Sequence, residues 1–412
     1  MTLIEFFDRS PVKNLTGCLS AKADEIVFVG EQRAMEKARE PLNNILSYHG
    51  FDGPIRYAPI RRNSIDSILS VLSDIVETSD GCIFDLTGGE DLALFAAGQV
   101  YAKYQAENIH MQWFNLRTGR IADWGQGQPL YQDAPPSLSV DDNILLHGGL
   151  VVYDDIHPLG THQWDLTPEF VRDIKTMWEI CRRNCGLWNF QLTMLANLER
   201  YSTAGALALD VDIAQAVSFA ETHDITLDLG GIFPALTEAR LLTFYDCSGG
   251  RFRLGYKNAQ VKRCLAKAGT VLELVTRCLA DELREKDGAP VFTDTLSGVY
   301  IDWDDIVHEP GDGQVDTQNE IDVILMRGLM PIFISCKNGN VGIDELYKLS
   351  AVADHFGRGF GKKVLVCASL EKALGNPAYF IDRAKSMDIE LISDVQDMDQ
   401  AAFSKRLRQL IS

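Results

Sequence analysis

The sequence predicts an α/β protein with a doubly wound sheet at its N-terminus, a helical middle segment carrying a β-hairpin, and an α/β/α C-terminal part. Three observations carry this. Short apolar strands such as Glu25–Gly30 (EIVFVG) and Gly81–Leu86 (GCIFDL) alternate with amphipathic helical stretches in the first 130 residues, the pattern of a parallel sheet covered on both faces. The stretch 168–200 keeps a helical apolar period with no strand in it. From residue 298 onward strands and helices alternate again, led by a long hairpin, Asn319–Asn338.

The first strand is expected at Leu3–Phe7. A helix over Pro11–Leu19 follows, with Ser10 as N-cap and Pro11 in the first turn. Arg33–Tyr48 is an amphipathic helix, Ile55–Ala58 a strand, and Ser64–Glu77 a helix with Ile65, Ile68, Leu69, Leu72 and Ile75 inward. Asp91–Gln105 is a helix and His110–Asn115 a strand. Residues 117–165 are loop-rich, and Asp141–Val152 (DDNILLHGGLVV) reads as a connecting strand pair. In the helical Pro168–Arg200 stretch, Trp178 and Trp188 are expected in the core. Leu241–Tyr256 is a hairpin turning at Ser-Gly-Gly. With the helices before it, this hairpin reads as a degenerate winged helix, and Arg251, Arg253 and Lys257 as its solvated face rather than a phosphate contact.

Asn258–Arg284 holds two helical stretches. Gly298–Trp303 is a strand, followed by a Gly/Asp-rich loop ending at Gln314 and then the hairpin. Asp344–Phe356 is a helix from which Lys348 can face the hairpin's end. Lys362–Ala368 is a buried strand, Pro377–Met387 a helix, Ile389–Ser393 a strand and Gln400–Ile411 a helix. The expected domains are 1–138, 139–257 and 258–412.

Whole-chain properties narrow the function. The 412 residues carry a net charge of −19, which argues against coating nucleic acid by bulk electrostatics but leaves room for a local basic groove. No run of eighteen apolar residues is present, so no membrane span is expected. The start, MTLIEFFDRSPVKN, lacks a basic region before a long apolar core, and a cytoplasmic protein is expected. Nine scattered cysteines without a Cys-x-x-Cys pair read as reduced thiols, not a zinc site.

Chemistry concentrates in two places. In the C-terminal hairpin, Asp322 comes near the level of Lys337. A carboxylate and an ammonium at one sheet edge are the minimum for metal-dependent phosphodiester chemistry; a surface ion pair is the plainer reading of the same spacing. Glu320 lies on the same strand face as Asp322. Glu273, set among Val271, Leu272, Leu274 and Val275, is a carboxylate in an apolar helix and needs a partner or a cation. In the N-terminal sheet, ligands are expected at the carboxyl ends of the strands. There Asp85-Leu86-Thr87-Gly88-Gly89 enters a helix, with glycines that let backbone N–H groups approach an anion and a hydroxyl beside them. A tight strand-to-helix turn explains the same glycines. Neither a P-loop nor a dinucleotide fingerprint is present.

The hairpin NEIDV…FISCKNG resembles the PD-(D/E)XK, restriction-endonuclease-like superfamily, and its wording is similar to the nuclease half of CRISPR ancillary nucleases. Those proteins carry a CRISPR-associated Rossmann-fold (CARF) sensor, and IEFFDRSP, EIVFVGEQ and FDLTGGEDLAL resemble that sensor. The resemblance covers about two thirds of the chain, the middle matching only in layout. It implies a homodimer that binds a cyclic oligoadenylate, cyclic tetra-adenylate above all, through Asp8, Ser10, Gln32, Thr87, Gly88 and Gly89. It implies a Mg²⁺ or Mn²⁺ site of Asp322, Glu320 and Glu273, with Lys337 assisting cleavage of DNA and, as a second candidate, RNA. Ser335 departs from the pattern by standing where the family has a carboxylate. That departure keeps open a second reading, a ligand-sensing transcriptional regulator with an inactive nuclease-like domain.

Overall fold

A computed structural model describes residues 1–104, 108–115, 120–123, 136–222, 228–303, 318–370 and 377–411. The N-terminal sheet is built from β1 (Thr2–Phe6), β2 (Glu25–Gly30), β3 (Ile55–Pro59), β4 (Cys82–Asp85), β5 (Ile109–Asn115) and β6 (Arg120–Asp123). Their order is β3-β2-β1-β4-β5-β6. β1 to β5 are parallel and β6 runs antiparallel at the edge. This is the doubly wound order, with its switch point between β1 and β4. The helices α2 (Gln32–Tyr48), α3 (Ile65–Thr78) and α4 (Asp91–Lys103) fall where the periodicity put them, and Ser64 caps α3 by accepting from the Ser67 N–H. The last residue of the helix expected over Asp91–Gln105, Gln105, lies outside the described residues.

Two expectations in this half are corrected. The helix after β1 is a single turn, α1 (Lys13–Thr16), whose N-cap position is Val12, so Ser10 caps nothing. The Asp8 side chain takes the Ser10 N–H instead, at 2.8 Å, which closes a local turn ahead of Pro11. The expected strand pair at 141–152 is a helix, α5 (Val140–Leu146), followed by the two-residue strand β7 (Leu150–Val151). A capping box between Ser139 and Asp142 decides this: each side chain accepts the other's backbone N–H.

The middle segment holds α6 (Pro168–Cys181), α7 (Cys185–Leu198), β8 (Ala208–Asp212), α8 (Ile213–Thr222), α9 (Phe233–Glu238), β9 (Leu242–Asp246) and β10 (Arg251–Tyr256). Its sheet has the order β8-β10-β9. Trp178 and Trp188 are buried, and the Trp188 indole donates to the Ala268 carbonyl. Arg251 pairs with Asp210, Arg253 with Asp246, and Lys257 with Glu169 and Asp173, so these cations are neutralised by their own fold.

The C-terminal sheet has the order β15-β14-β13-β12-β11-β7. Its further strands are β11 (Asp294–Asp302), β12 (Gln318–Arg327), β13 (Met330–Lys337), β14 (Lys362–Cys367) and β15 (Ile389–Ile392). β12 and β13 form the expected hairpin, turning at Gly328, whose φ of 61° suits a residue without a Cβ. The Gly/Asp-rich loop up to Gln314 lies outside the described residues. Against this sheet pack α11 (Thr270–Asp281), α12 (Ile343–Gly357) and the helix Ala378–Ser386, while α10 (Ala259–Ala266) lies against α7 and α11 and the helix Gln400–Gln409 against α11. Strand alternation splits the hairpin between two cores. Val323, Leu325, Ile332 and Ile334 join the middle helices, while Phe333 and Met326 face α12 and α5. The second core continues through α2 to β1 and β2, so the two large sheets share apolar packing.

Candidate metal centre and ligand-binding edge

The hairpin register pairs Val323 with Ile334, which sets Asp322 against Ser335 at the open end. The Cys336 N–H donates to Asp322 Oδ2 at 2.6 Å and the Ser335 hydroxyl donates to the same oxygen at 3.1 Å. Lys337 Nζ lies 3.8 Å from it. Ser335 therefore holds the carboxylate in place without adding a charge of its own. α11 delivers Glu273 from the facing layer. Glu273, Glu320 and Asp322 each place a carboxylate oxygen within 4.8 Å of the others. Three hard oxygen donors at this spacing fit Mg²⁺ or Mn²⁺.

The electrostatics agree with the crowding. Burial, then the Asp322 charge, pushes Glu273 up to about 8. Burial also raises Asp322, against the pull of Lys337 and the Cys336 N–H. Burial works against the Lys337 charge, but Asp322 and Glu345 outweigh it and hold the ammonium above its ordinary value. Two lysines sit at the rim of this cluster. Lys267 Nζ lies 2.6 Å from Glu320 and 3.9 Å from Glu273.

Lys267 and Glu345 were not foreseen. Glu345 is 3.0 Å from Lys337 Nζ; it stands in the first turn of α12, one turn before Lys348, the residue the periodicity singled out. Lys348 is exposed and binds the other oxygen of Glu345, so it meets the site only through that carboxylate. The signal for Glu345 was present in Gly-Ile-Asp-Glu-Leu, an acidic helix start directly after the hairpin. Lys267 carried no local signal, because the link between α10 and α11 brings it to the site.

At the N-terminal sheet, Asp8 and the Thr87–Gly89 loop meet over the carboxyl ends of β1 and β4. Asp8 Oδ2 accepts the Gly89 N–H at 3.2 Å and lies 3.2 Å from Lys13 Nζ. Gly89 has φ +105°, and a Cβ there would fall 2.5 Å from the Phe6 Cβ; a Cβ on Gly88 would fall 3.0 Å from the Asp8 Cβ. The glycines are thus required by packing. Thr87 ties the loop down: its hydroxyl accepts the Phe114 N–H at 2.7 Å and its own N–H donates to Asp85 at 2.7 Å. The Ser10 hydroxyl is buried and finds no hydrogen-bond partner among the described residues. Gln32 stands apart, on the exposed start of α2, bonded to Glu36. The structure thus gathers Asp8, Ser10, Thr87, Gly88 and Gly89, and leaves Gln32 one strand away.

No protein-family model and no curated protein matches the chain. Solved structures do. Protein VC1899 from Vibrio cholerae superposes with a TM-score of 0.73 at 18% identity, over 99% of this chain and 97% of that one. Can2 from Sulfobacillus thermosulfidooxidans, solved in complex with cyclic tetra-adenylate, superposes with a TM-score of 0.67 at 13% identity, over 100% of this chain and 99% of that one. Among the described residues no helix is long and apolar enough to cross a membrane. The fold of the whole chain, N-terminal doubly wound sheet, middle segment and C-terminal α/β/α part together, is the fold of these two structures.

Proposed function

We propose that the chain is a cyclic-oligoadenylate-activated, metal-dependent endonuclease of type III CRISPR antiviral defence. The observation that carries the reading is the convergence of Glu273, Glu320 and Asp322 beside Lys337. In this reading Mg²⁺ or Mn²⁺, when bound, supplies an activated water and a Lewis acid for the phosphodiester. The chain's own groups do the rest. Asp322 is anchored by the Cys336 N–H and the Ser335 hydroxyl, so it keeps its geometry whatever the charge of the site. Lys337 stays cationic and meets the charge that develops on the phosphate oxygens. Glu273 is fixed by a helix that is buried along its length, Glu273 included, with only Arg277 and Asp281 half-buried.

The activator, cyclic tetra-adenylate in the first place, binds at the Asp8, Ser10 and Thr87–Gly89 edge, with Gln32 at its margin. A ligand of two-fold symmetry suits an isologous homodimer through that edge, and its binding shifts the relation of the two large sheets. DNA is the proposed substrate and RNA the second; a cytoplasmic setting follows from the same reading. The bounds 1–138, 139–257 and 258–412 stand as the proposed domains, with β7 lending the C-terminal sheet an edge from the middle segment. The paired cations of the wing weigh against the regulator reading, since they offer little to a phosphate backbone.

The test is cleavage of circular single- and double-stranded DNA, and of RNA, with Mn²⁺ or Mg²⁺, with and without cyclic tetra-adenylate. Cutting that needs both metal and activator is expected. Inert wild-type protein together with an active Ser335→Glu variant would overturn the nuclease reading in favour of the regulator.

A further inference from the structure

One lysine stands on the acids of the hairpin cluster rather than beside them. Lys267 Nζ is 2.6 Å from Glu320 Oε1 and 3.9 Å from Glu273 Oε1. These two acids belong to the trio whose oxygens lie within 4.8 Å of one another. Among the described residues, the ion pairs of Lys267 are with these two acids. Lys337 is disposed differently. Its ammonium is 3.8 Å from Asp322 but 3.0 Å from Glu345, so a carboxylate outside the trio draws it off. Crowded carboxylates need nearby positive charge to stay ionised. Lys267 is the cation that supplies it to two of the three candidate ligands.

The mounting of Lys267 separates a fixed backbone from a free side chain. The residue ends α10 in extended conformation, φ −134° and ψ 125°, and leads into α11. Its carbonyl accepts the Thr270 N–H at 3.2 Å. The next carbonyl, that of Ala268, accepts from the buried Trp188 indole at 3.2 Å. A Cβ on Gly269 would fall 3.1 Å from Glu273 Oε1, so the link passes close over that acid. The Lys267 side chain is nevertheless 55% exposed, against 27% for Lys337. A lysine stem is long and flexible, so the ammonium can leave the acids for water while the link stays in place.

A hard divalent cation binds through the same carboxylate oxygens. An ammonium and a divalent cation at one oxygen repel each other at short range, so the two compete. We propose that Lys267 is a built-in counter-ion of the cluster: it neutralises Glu320 and Glu273, and a divalent cation enters by displacing it. The lysine thereby sets the metal concentration at which the site loads. The inference rests on the reading of this cluster as a metal site. The exchange moves one exposed side chain and leaves Asp322 on its Cys336 N–H and Ser335 hydroxyl.

Titration calorimetry of the full chain with Mn²⁺ tests this. Lys267→Met should bind Mn²⁺ about fivefold tighter than the wild type. Lys267→Arg keeps a cation on the acids and should stay within about twofold of the wild type. Lys348→Met removes an equal charge, spent on Asp344 and Glu345, and should also shift affinity by less than about twofold. Thermal melting gives a second readout. With a chelator present, Lys267→Met should have the lower Tm, because the acids have lost their counter-ion. At saturating Mn²⁺ that gap should close or reverse. Unchanged Mn²⁺ affinity in Lys267→Met overturns the proposal. So does a Tm gap that is the same with and without Mn²⁺, which is the behaviour of an ordinary surface ion pair. Equal tightening in Lys348→Met overturns it as well, since net charge rather than the place of Lys267 would then decide. If neither the wild type nor Lys267→Met binds Mn²⁺, the metal reading itself fails and takes the proposal with it, an outcome distinct from Mn²⁺ binding that ignores Lys267.

Discussion

The molecule buries carboxylates in two places, and they are built differently. At the switch point of the N-terminal sheet, Glu5 and Asp85 are cross-strand neighbours on β1 and β4, both fully buried. A Cβ on Gly17 would fall 2.2 Å from Glu5 Oε1 and 2.3 Å from Asp85 Oδ2, so both acids crowd one point beneath α1. Their partners are neutral: the Cys18 thiol donates to Glu5, and Gln112 and the Thr87 N–H donate to Asp85. At the C-terminal hairpin, Glu273, Glu320 and Asp322 crowd in the same way, but Lys267 and Lys337 stand at the rim and two of the three acids remain partly open. Burial raises Glu5, Asp85, Glu273 and Asp322 alike. What separates a structural pair from a candidate cation site is the company of mobile charge and a path to solvent, not a displaced pKa.

The largest test of this contrast is catalytic. Asp322→Ala and Lys337→Ala should each reduce activated cleavage by about a hundredfold or more, the scale of losing one preorganised electrostatic partner. Glu5→Gln should leave it within about twofold, and cyclic tetra-adenylate should bind all three variants. Equal losses at Glu5 and Asp322 would erase the distinction between the clusters.

Metal linkage gives the next effect. At an Mn²⁺ concentration of about a hundred times its dissociation constant, the wild type should gain about 2.7 kcal/mol of stability, read as a rise in Tm. Glu273→Gln should remove most of that gain and Glu5→Gln none. A rise that persists in Glu273→Gln would place the cation elsewhere.

Much of this was legible in the sequence, because local rules agree with the fold. EIVFVG became β2 without a shift of either end, and the hairpin register followed from alternation about Gly328. The three metal candidates were legible as carboxylates in or beside apolar runs. The failures have physical causes. Asp141–Val152 looked like strands because Ile144, Leu145, Leu146 and Val151 are apolar, yet the Ser139 capping box starts a helix. Ser10 was read as a cap, and the Asp8 side chain overrode it. Lys267 and the Glu5–Asp85 pair come together only through tertiary packing, which no window of sequence contains, whereas Glu345 had a local signal in the acidic start of α12.

A smaller effect should come from Gly17. Gly17→Ala forces a methyl against both buried carboxyls and should cost about 1–3 kcal/mol, measured by urea unfolding. The hairpin cluster does not touch this position, so Mn²⁺ should still raise the Tm of the variant. A neutral outcome would mean that the pair yields easily and is not a packed element of the switch point.

The smallest effect concerns the pH dependence of that pair. Glu5 is raised well above its ordinary value, by burial first and by Asp85 second. Its folded pKa lies above its unfolded one, so between the two the unfolded chain has released a proton that the folded chain keeps. Stability from this group is therefore full below about pH 4.5 and declines as pH rises beyond it. Glu5→Gln substitutes a neutral isostere whose amide oxygen still accepts from Cys18, and among the described residues nothing donates to the Oε2 position that it gives up. The variant should be more stable than wild type by about 1 kcal/mol at pH 7 and no more stable at pH 4. Asp85 is raised in the same direction by its own burial, so the variant keeps part of the slope. Urea unfolding at the two pH values measures the difference. A variant less stable at pH 7 would show that the Glu5 charge is compensated, and that the N-terminal pair is nearer in kind to the hairpin cluster than its neutral partners indicate.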